Sequence, residues 1–536
     1  MPTTMKETHA AVVFLYGDRA YKVKKPVALG FLDFTTLRAR LAACEREVEL
    51  NRRLAPDVYE GVATVVGPGG EACEHMVVMR RMPDERRLAH LVRTGRPVEE
   101  HLRAIARQLA GLHAKARHGP DVDREGGLEA LRSRWTAGFA QVRGLPAAPV
   151  EPATLDEIER LTLRFLDGRA PLFGSRVAEG RVVDGHGDLL AEDVFCLDDG
   201  PRILDCLEFD DRLRFVDGLD DAAFLAMDLE RLGAPRLADL FLSWYVEFSG
   251  DPAPPALWHH YVAYRAFVRA KVACLRHWQG GAEAGGGGPG SPGSPGGGGP
   301  GGPGGPDGPD GSAAAREARD LAELTLRHLR AGEVTLTLVG GAPATGKSTL
   351  GGALADRLGH TLLRSDRVRK ELAGIDPARA AAAPYLEGIY RPEHTERTYA
   401  ELLSRAERLL GMGESVILDA SWLDPRQRAA AGETARRASA RLVTLRCAVV
   451  PQVAAERLAE RAAGRPAGRA GEPSDADAAV ARAMTSEPWA REPWPDAVEI
   501  DTGVPQEQSL RRALAAVHPP EREVSWRFRR PSIEPD

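Results

Sequence analysis

Two sets of residues in this 536-residue chain have the types and spacing to do chemistry. The first is Gly341-Ala342-Pro343-Ala344-Thr345-Gly346-Lys347-Ser348, followed by Thr349, which fits G-x-x-x-x-G-K-[ST] at every fixed position. Glycines in such a loop let backbone N–H groups turn inward around a phosphate chain. The lysine adds a point charge at the outer phosphates, and the serine hydroxyl can ligate Mg²⁺. The second set lies between Asp184 and Glu230, where 15 residues are acidic and three are basic. That density suits a metal site or a solvated surface. The order His186-Gly187-Asp188, then Asp193, then Ile203-Leu204-Asp205, favours a metal.

The surrounding elements must hold these groups in place. The phosphate loop follows an apolar strand, Val334 to Val339, and opens a helix, Lys347 to Leu358, that Gly359 ends. The dipole of that helix adds to the attraction for phosphate. Further strands are expected at Thr361 to Leu363, Glu414 to Leu418 and Leu442 to Ala448, with helices between them. This alternation predicts an α/β fold with a parallel sheet. Asp366 and Arg369 lie just beyond the second of these strands. A carboxylate at the C-terminal end of a strand beside the loop faces the crevice where ligands bind in open α/β sheets. Asp419 ends a later strand, Val416-Ile-Leu-Asp419.

The N-terminal part reads differently. Ala11 to Tyr16 and Ala20 to Lys24, joined at Gly17-Asp18, predict a β-hairpin. Leu37 to Leu54 predicts a helix and Met76 to Met79 a strand. Helical patterns dominate from Glu99 onward, so a two-lobed α+β unit is expected. Glu47 falls inside the apolar arc of the first helix, where a carboxylate needs a partner.

The loop and its flanks resemble the P-loop kinases that phosphorylate small metabolites or polynucleotide 5′ ends, among them gluconate kinase, polynucleotide kinase and the zeta toxins. The resemblance implies that Asp366 receives the acceptor hydroxyl's proton and that Arg369 grips the substrate. It also implies that Asp419 holds Mg²⁺ through water or orients the acceptor. Arg457, Arg461, Arg465 and Arg469 recur every four residues. An arginine-bearing lid of that kind closes over the phosphates in these kinases, and Arg461 is assigned there.

The acidic set resembles the aminoglycoside phosphotransferase family, which has the protein-kinase-like fold and the signature H-G-D-x-x-x-x-N. The resemblance makes Asp188 the catalytic base, Asp193 the residue standing in for the metal-binding asparagine, and Asp205 the main Mg²⁺ ligand. The strand lysine that grips ATP is read as Lys24, with Lys22 on the same face as the alternative. Glu47 is its partner on the helix. Met79 to Pro83 would form the adenine hinge. The order of the two parts resembles bacterial bifunctional aminoglycoside phosphotransferase/ATP-binding proteins.

Composition sets the limits. Hydrophobic residues make up 43% and charged residues 28%, which is ordinary for a globular chain. The net charge of −6 weighs against a general nucleic-acid binder. Six scattered cysteines with no C-x-x-C pair give no zinc or redox motif and fit a cytoplasmic location. No stretch approaches 18 apolar residues, so no membrane span is expected. Residues 280–312 hold 18 glycines and seven prolines and are expected to be a disordered linker. The expected domains are 1–279, protein-kinase-like, and 313–520, P-loop kinase, with a tail at 521–536.

Together these features predict a bifunctional ATP- and Mg²⁺-dependent phosphotransferase that acts on hydroxyl groups of small molecules. A regulatory reading is kept beside it, in which the N-terminal domain binds ATP or a ligand without turnover. A third reading makes the C-terminal domain a polynucleotide 5′-hydroxyl kinase. Its net charge of +1 weighs mildly against that acceptor without excluding it. Neither the acceptors nor the oligomeric state can be read from the sequence.

Overall fold

A computed structural model describes residues 4–7, 10–28, 33–284, 311–376, 386–462, 478–487 and 492–518. Most of the linker expected at 280–312, the whole tail at 521–536, and Arg465 and Arg469 lie outside these residues. The chain forms two compact units. One comprises Met1–Glu159, Phe173–Ala253 and His260–His328, and the other Arg160–Leu172, Pro254–His259 and Leu329–Asp536. Two short pieces of the N-terminal sequence therefore group with the second unit, and the residues up to His328 group with the first.

The first unit opens on an antiparallel sheet of five strands. These are β1 (Thr4–Glu7), β2 (Ala11–Tyr16), β3 (Arg19–Lys24), β4 (Tyr59–Val66) and β5 (Ala72–Arg80), in the order β1-β2-β3-β5-β4. The hairpin β2–β3 turns at Gly17-Asp18 as expected, pairing Tyr16 with Arg19 and Ala11 with Lys24. The helix Leu37–Asn51 lies on this sheet, and its Cys44 and Val48 pack with Leu15, Ala20, Val77 and Met79. The Thr36 side chain caps it by accepting the Ala39 N–H at 3.2 Å. The helix stops at Asn51, three residues before the expected Leu54. Pro56 follows, and a proline disfavours helical backbone in the residue before it.

The body after the sheet is helical, as the pattern predicts. Set into it are two short antiparallel pairs, β6 (Val182–Asp184) with β9 (Phe215–Asp217), and β7 (Val194–Leu197) with β8 (Gly200–Ile203). The helix Gly218–Arg231 follows β9, and Leu219, Ala222, Ala223 and Phe224 to Leu229 are all buried. These pairs carry the acidic residues. The unit is thus α+β, an antiparallel sheet followed by a helical body.

The second unit is a parallel sheet of β10 (Thr335–Gly340), β11 (Thr361–Arg364), β12 (Val416–Asp419), β13 (Arg441–Ala448) and β14 (Ala497–Asp501), ordered β11-β12-β10-β13-β14. Every residue of β10 is buried, as befits the central strand of a covered parallel sheet. The helix Lys347–Leu358 packs Leu350 and Leu354 with Val339 and Ile417. Gly359 ends it with φ of 67°. This is an α/β fold with a parallel sheet and a phosphate loop after its central strand.

Candidate active sites

In the second unit, the chain leaves β10 and must turn sharply to enter the next helix. At Gly341 φ is 141°, and a Cβ would stand 2.6 Å from the Cys447 carbonyl oxygen, so only glycine fits. Ala344 and Gly346 also take left-handed backbone, with φ of 64° and 81°. Two hydrogen bonds close the loop on itself. The Thr345 hydroxyl donates to the Ala342 carbonyl at 2.8 Å, and the Lys347 ammonium donates to the same carbonyl at 2.9 Å. Thr349 sits on the exposed side of the first helical turn.

Neighbouring elements brace the loop. The Thr502 hydroxyl, just past β14, donates to the Thr345 carbonyl at 2.7 Å. Arg457, on the helix Pro451–Ala462, donates to the Ala344 carbonyl at 3.3 Å and the Thr502 carbonyl at 2.8 Å. Of the arginines at four-residue spacing, Arg457 is the one whose side chain is described, and it lies beside the loop. The side chain of Arg461 lies outside the described residues.

A cavity of about 320 Å³ opens at the loop, lined by Lys347, Ser348, Asp366, Arg369 and Asp419 among others. With Pro343 of the loop, which also lines it, the fold brings together six of the residues singled out in this half. Asp419 is buried at the end of β12, with Arg364 Nε 4.0 Å from its carboxylate. Arg369 is 7% exposed; it donates to the Ile389 carbonyl and to Thr395 Oγ1, each at 3.0 Å, and lies over the Tyr390 ring. Tyr399 and Ser421 hydrogen-bond at 2.9 Å along the same wall. Sequence spacing gave no sign of these aromatic and hydroxyl residues.

In the first unit, Lys22 and Lys24 both point from β3 to Glu47. Glu47 is fully buried, with Lys22 Nζ 2.9 Å from Oε1 and Lys24 Nζ 2.6 Å from Oε2. Burial works against its charge, yet the two ammoniums hold the carboxylate below the usual range. The lysines differ in their other partners. Lys22 reaches Asp205 at 2.7 Å, whereas Lys24 turns inward to Glu208. Lys24 is 2% exposed and Lys22 14%. Both lysines therefore pair with Glu47 and link it to the second acidic segment, Lys22 through Asp205 and Lys24 through Glu208. Glu208 was not singled out in the sequence.

Asp205 follows β8 with φ of 64°, a left-handed conformation that aspartate tolerates better than most residues. The Lys22 charge holds its carboxyl below the ordinary range. Asp188 and Asp193 shift the other way. Burial pushes Asp188 up to about 6. Burial, then the charges of Asp205 and Asp188, push Asp193 well up. Asp205 thus raises the cost of ionising Asp188, and both raise that of Asp193, a repulsion that a divalent cation would offset; the donor set suits Mg²⁺, which takes one or two carboxylates and otherwise water and phosphate oxygens. Among the described residues, no three His, Cys, Asp or Glu side chains form a ready-made metal cage.

The acidic segments are held by side chains the sequence did not reveal. Asp221 accepts the His186 N–H at 2.7 Å, the Gly187 N–H at 2.8 Å and a contact from His113 Nε2 at 2.9 Å. These bonds hold Asp221 far below the usual carboxylate range despite full burial. Asn51 Oδ1 accepts the Cys206 N–H at 2.9 Å, and Tyr59 Oη accepts the Asp205 N–H at 3.3 Å. Arg53 donates to the Asp184 and Gly185 carbonyls at 3.1 and 2.7 Å. Asn51 and Arg53 at the end of the first helix, and Tyr59 at the start of β4, thus fasten both acidic segments. Only the acidic run gave a hint of Asp221, and nothing in the sequence marked the other three.

The chain is 41% identical over 509 residues to the uncharacterized proteins Rv2004c of Mycobacterium tuberculosis and Mb2027c of Mycobacterium bovis, covering 95% of this chain and 94% of each relative. It belongs to their family. Residues 336–488 match the family described as AAA domain. Solved structures with lower similarity include a choline/ethanolamine kinase family protein from Mesorhizobium loti, 17% identical over 62% of this chain and 92% of that one, with a TM-score of 0.35. They also include aminoglycoside 2′-phosphotransferase-IIIa in its GDP complex, 14% identical over 61% and 92%, with a TM-score of 0.35. A gluconokinase from Sinorhizobium meliloti is 21% identical over 34% and 91%, with a TM-score of 0.22. No described helix is long and apolar enough to cross a membrane.

Proposed function

We propose that this family member is a bifunctional phosphotransferase that moves the γ-phosphate of ATP to hydroxyl groups of small molecules, with one ATP site in each unit. The observation that carries the reading is the cavity at the phosphate loop, where the phosphate-side groups Lys347 and Ser348 share one wall system with Asp366, Arg369 and Asp419. There Asp366 receives the acceptor proton, Arg369 orients the acceptor, and Lys347 steadies the phosphates. A cavity of about 320 Å³ suits a small acceptor better than a polynucleotide strand. Gluconokinase and aminoglycoside phosphotransferase among the structural neighbours support a small-molecule acceptor class.

In the first unit, Asp188 is the base, Lys22 steadies the phosphate chain and Glu47 positions Lys22. Asp193 and Asp205 would hold Mg²⁺, which offsets phosphate charge when bound; Ser348 and Asp419 would do so in the second unit. A cytoplasmic location accords with the free cysteines.

The regulatory reading of the first unit rests on Asp193 standing where asparagine is expected. One experiment separates the two. Full-length chains carrying Lys347→Ala, alone and with Asp188→Asn or Asp193→Asn, are assayed for ADP release against amino sugars, sugar acids and nucleosides. The enzyme reading expects turnover that Asp188→Asn removes and Asp193→Asn preserves. Equal rates with and without Asp188 would leave only a ligand-binding role for this unit.

A further inference from the structure

The helix Gly218–Arg231 carries two aspartates seven residues apart, Asp221 and Asp228. That spacing puts both on one face, about 10 Å apart along the axis. Both are fully buried. Asp221 holds the His186 and Gly187 N–H groups beside Asp188. Asp228 acts further along the acidic segment, where its Oδ2 accepts the Ala191 N–H at 2.9 Å. The stretch from His186 to Ala191 is therefore pinned at both ends to one helix face.

Ala191 opens the short 3-10 turn Ala191–Asp193, which carries Asp193 to its place. Within it the Asp193 N–H donates to the Leu190 carbonyl at 3.1 Å, and the Asp193 carbonyl accepts the Leu204 N–H at 3.0 Å. Leu204 precedes Asp205, so a backbone bond ties the two candidate metal residues to each other. Arg87 donates to the Glu192 carbonyl of the same turn. Asp228 holds the first N–H of the turn.

Packing does not account for a charge at position 228. Its neighbours Leu225, Met227 and Leu229 are buried and apolar. A carboxylate in the last turn of a helix also meets the negative end of the helix dipole, and burial adds a desolvation cost. Arg231 offsets part of that cost by donating to Oδ1 at 2.7 Å, and Oδ2 goes to the Ala191 N–H. We propose that Asp228 is a positioning residue for the metal site of the first unit: it fixes the turn Ala191–Asp193 and, through it, the place of Asp193 against Asp205. The proposal rests on the phosphotransferase reading of this unit. Along one helix face, Asp221 then serves the segment of the base Asp188, and Asp228 the segment of Asp193.

The test uses the full chain with Lys347→Ala and the non-hydrolysable analogue AMP-PNP, titrated calorimetrically without metal and at a series of Mg²⁺ concentrations. Asp228→Leu removes the acceptor and keeps the space filled, whereas Asp228→Asn keeps an oxygen that can accept the Ala191 N–H. Asp228→Leu is expected to raise the Mg²⁺ concentration needed for half of the metal-dependent gain in affinity roughly 10- to 100-fold, the usual cost of losing a group that orients a metal ligand. Metal-free AMP-PNP affinity should stay as in the parent, and Asp228→Asn should behave as the parent in both. Amide exchange followed by mass spectrometry on the metal-free chains should speed up at Ala191 to Asp193 in Asp228→Leu and not in Asp228→Asn. Thermal unfolding checks the fold, and Asp228→Ala replaces Asp228→Leu if the latter does not fold. Fast exchange of the Ala191 amide in the parent chain would by itself overturn the proposal. It is also overturned if the folded Asp228→Leu chain needs no more Mg²⁺ than the parent, which would leave the turn to Arg87. The same holds if Asp228→Asn is impaired as much as Asp228→Leu, or if metal-free affinity falls by the same factor as the metal-dependent one. Asp205→Asn serves as the reference: if it leaves the Mg²⁺ dependence unchanged, or if the parent shows none, the phosphotransferase reading of this unit falls, and the role of Asp228 with it.

Discussion

Lys22 and Lys24 sit two residues apart on one strand and share Glu47, but they should fail in opposite ways. Lys22 faces Asp205 and is the more exposed of the two, at 14% against 2%. Lys22→Met removes one charge-assisted contact to phosphate, worth about 1.5–3 kcal/mol. At about 1.4 kcal/mol per decade, nucleotide affinity should fall roughly 10- to 150-fold. The fold should hold, because Glu47 keeps Lys24. Lys24→Met instead strips Glu208 of its lysine inside the unit and leaves Glu47 with Lys22 alone. Breaking a buried pair of this kind costs about 3–5 kcal/mol of stability. The assay is calorimetric titration of Mg²⁺-AMP-PNP into Lys347→Ala chains, so that only the first unit reports, beside thermal unfolding of the same proteins. If Lys24→Met lost nucleotide without losing stability while Lys22→Met bound normally, the reasoning from burial would be refuted and Lys24 would be the phosphate lysine.

Two further outcomes are expected. Arg457→Ala should weaken AMP-PNP at the second unit by about 1.5–3 kcal/mol, because it removes the guanidinium that bridges the Ala344 carbonyl of the loop and the Thr502 carbonyl; titration of a Lys22→Met chain, in which the first site is weakened, measures it, and unchanged affinity would leave the lid role to another arginine. Asp239 is pushed up to about 7 by burial and by the Glu230 charge, and its Oδ1 is buried without a partner. Its folded-state value lies above the unfolded value of about 3.9, so the folded chain binds more protons between these two, and stability is lost as pH rises through that window. Asp239→Asn should therefore stabilise the first unit at pH 8 by something on the order of 1 kcal/mol, after discounting for partial exposure, and by clearly less at pH 5, inside that window. Urea unfolding at both pH values checks it, and an equal gain at pH 5 would show that the charge is not the cause.

The sequence by itself settled the groups whose chemistry depends on neighbours in the chain. A phosphate loop is a local object: its glycines, lysine and serine act through backbone turns within eight residues, so spacing alone located it between a strand and a helix. The hairpin at Gly17-Asp18 and the helix ending at Gly359 were legible for the same reason. Strand β14 was not, because five residues carrying Glu499 and Asp501 give little periodic signal until a parallel partner is present. The choice between Lys22 and Lys24 was also beyond the sequence, since period-two alternation puts both on one face and only the place of Glu208 behind and Asp205 in front separates them. Asn51, Arg53, Tyr59 and Asp221 do their work by bonding backbone groups at least 34 residues away. Local geometry is written in spacing, whereas pairing of charges across a fold depends on which distant segments burial brings within about 4 Å, and that only the tertiary structure decides.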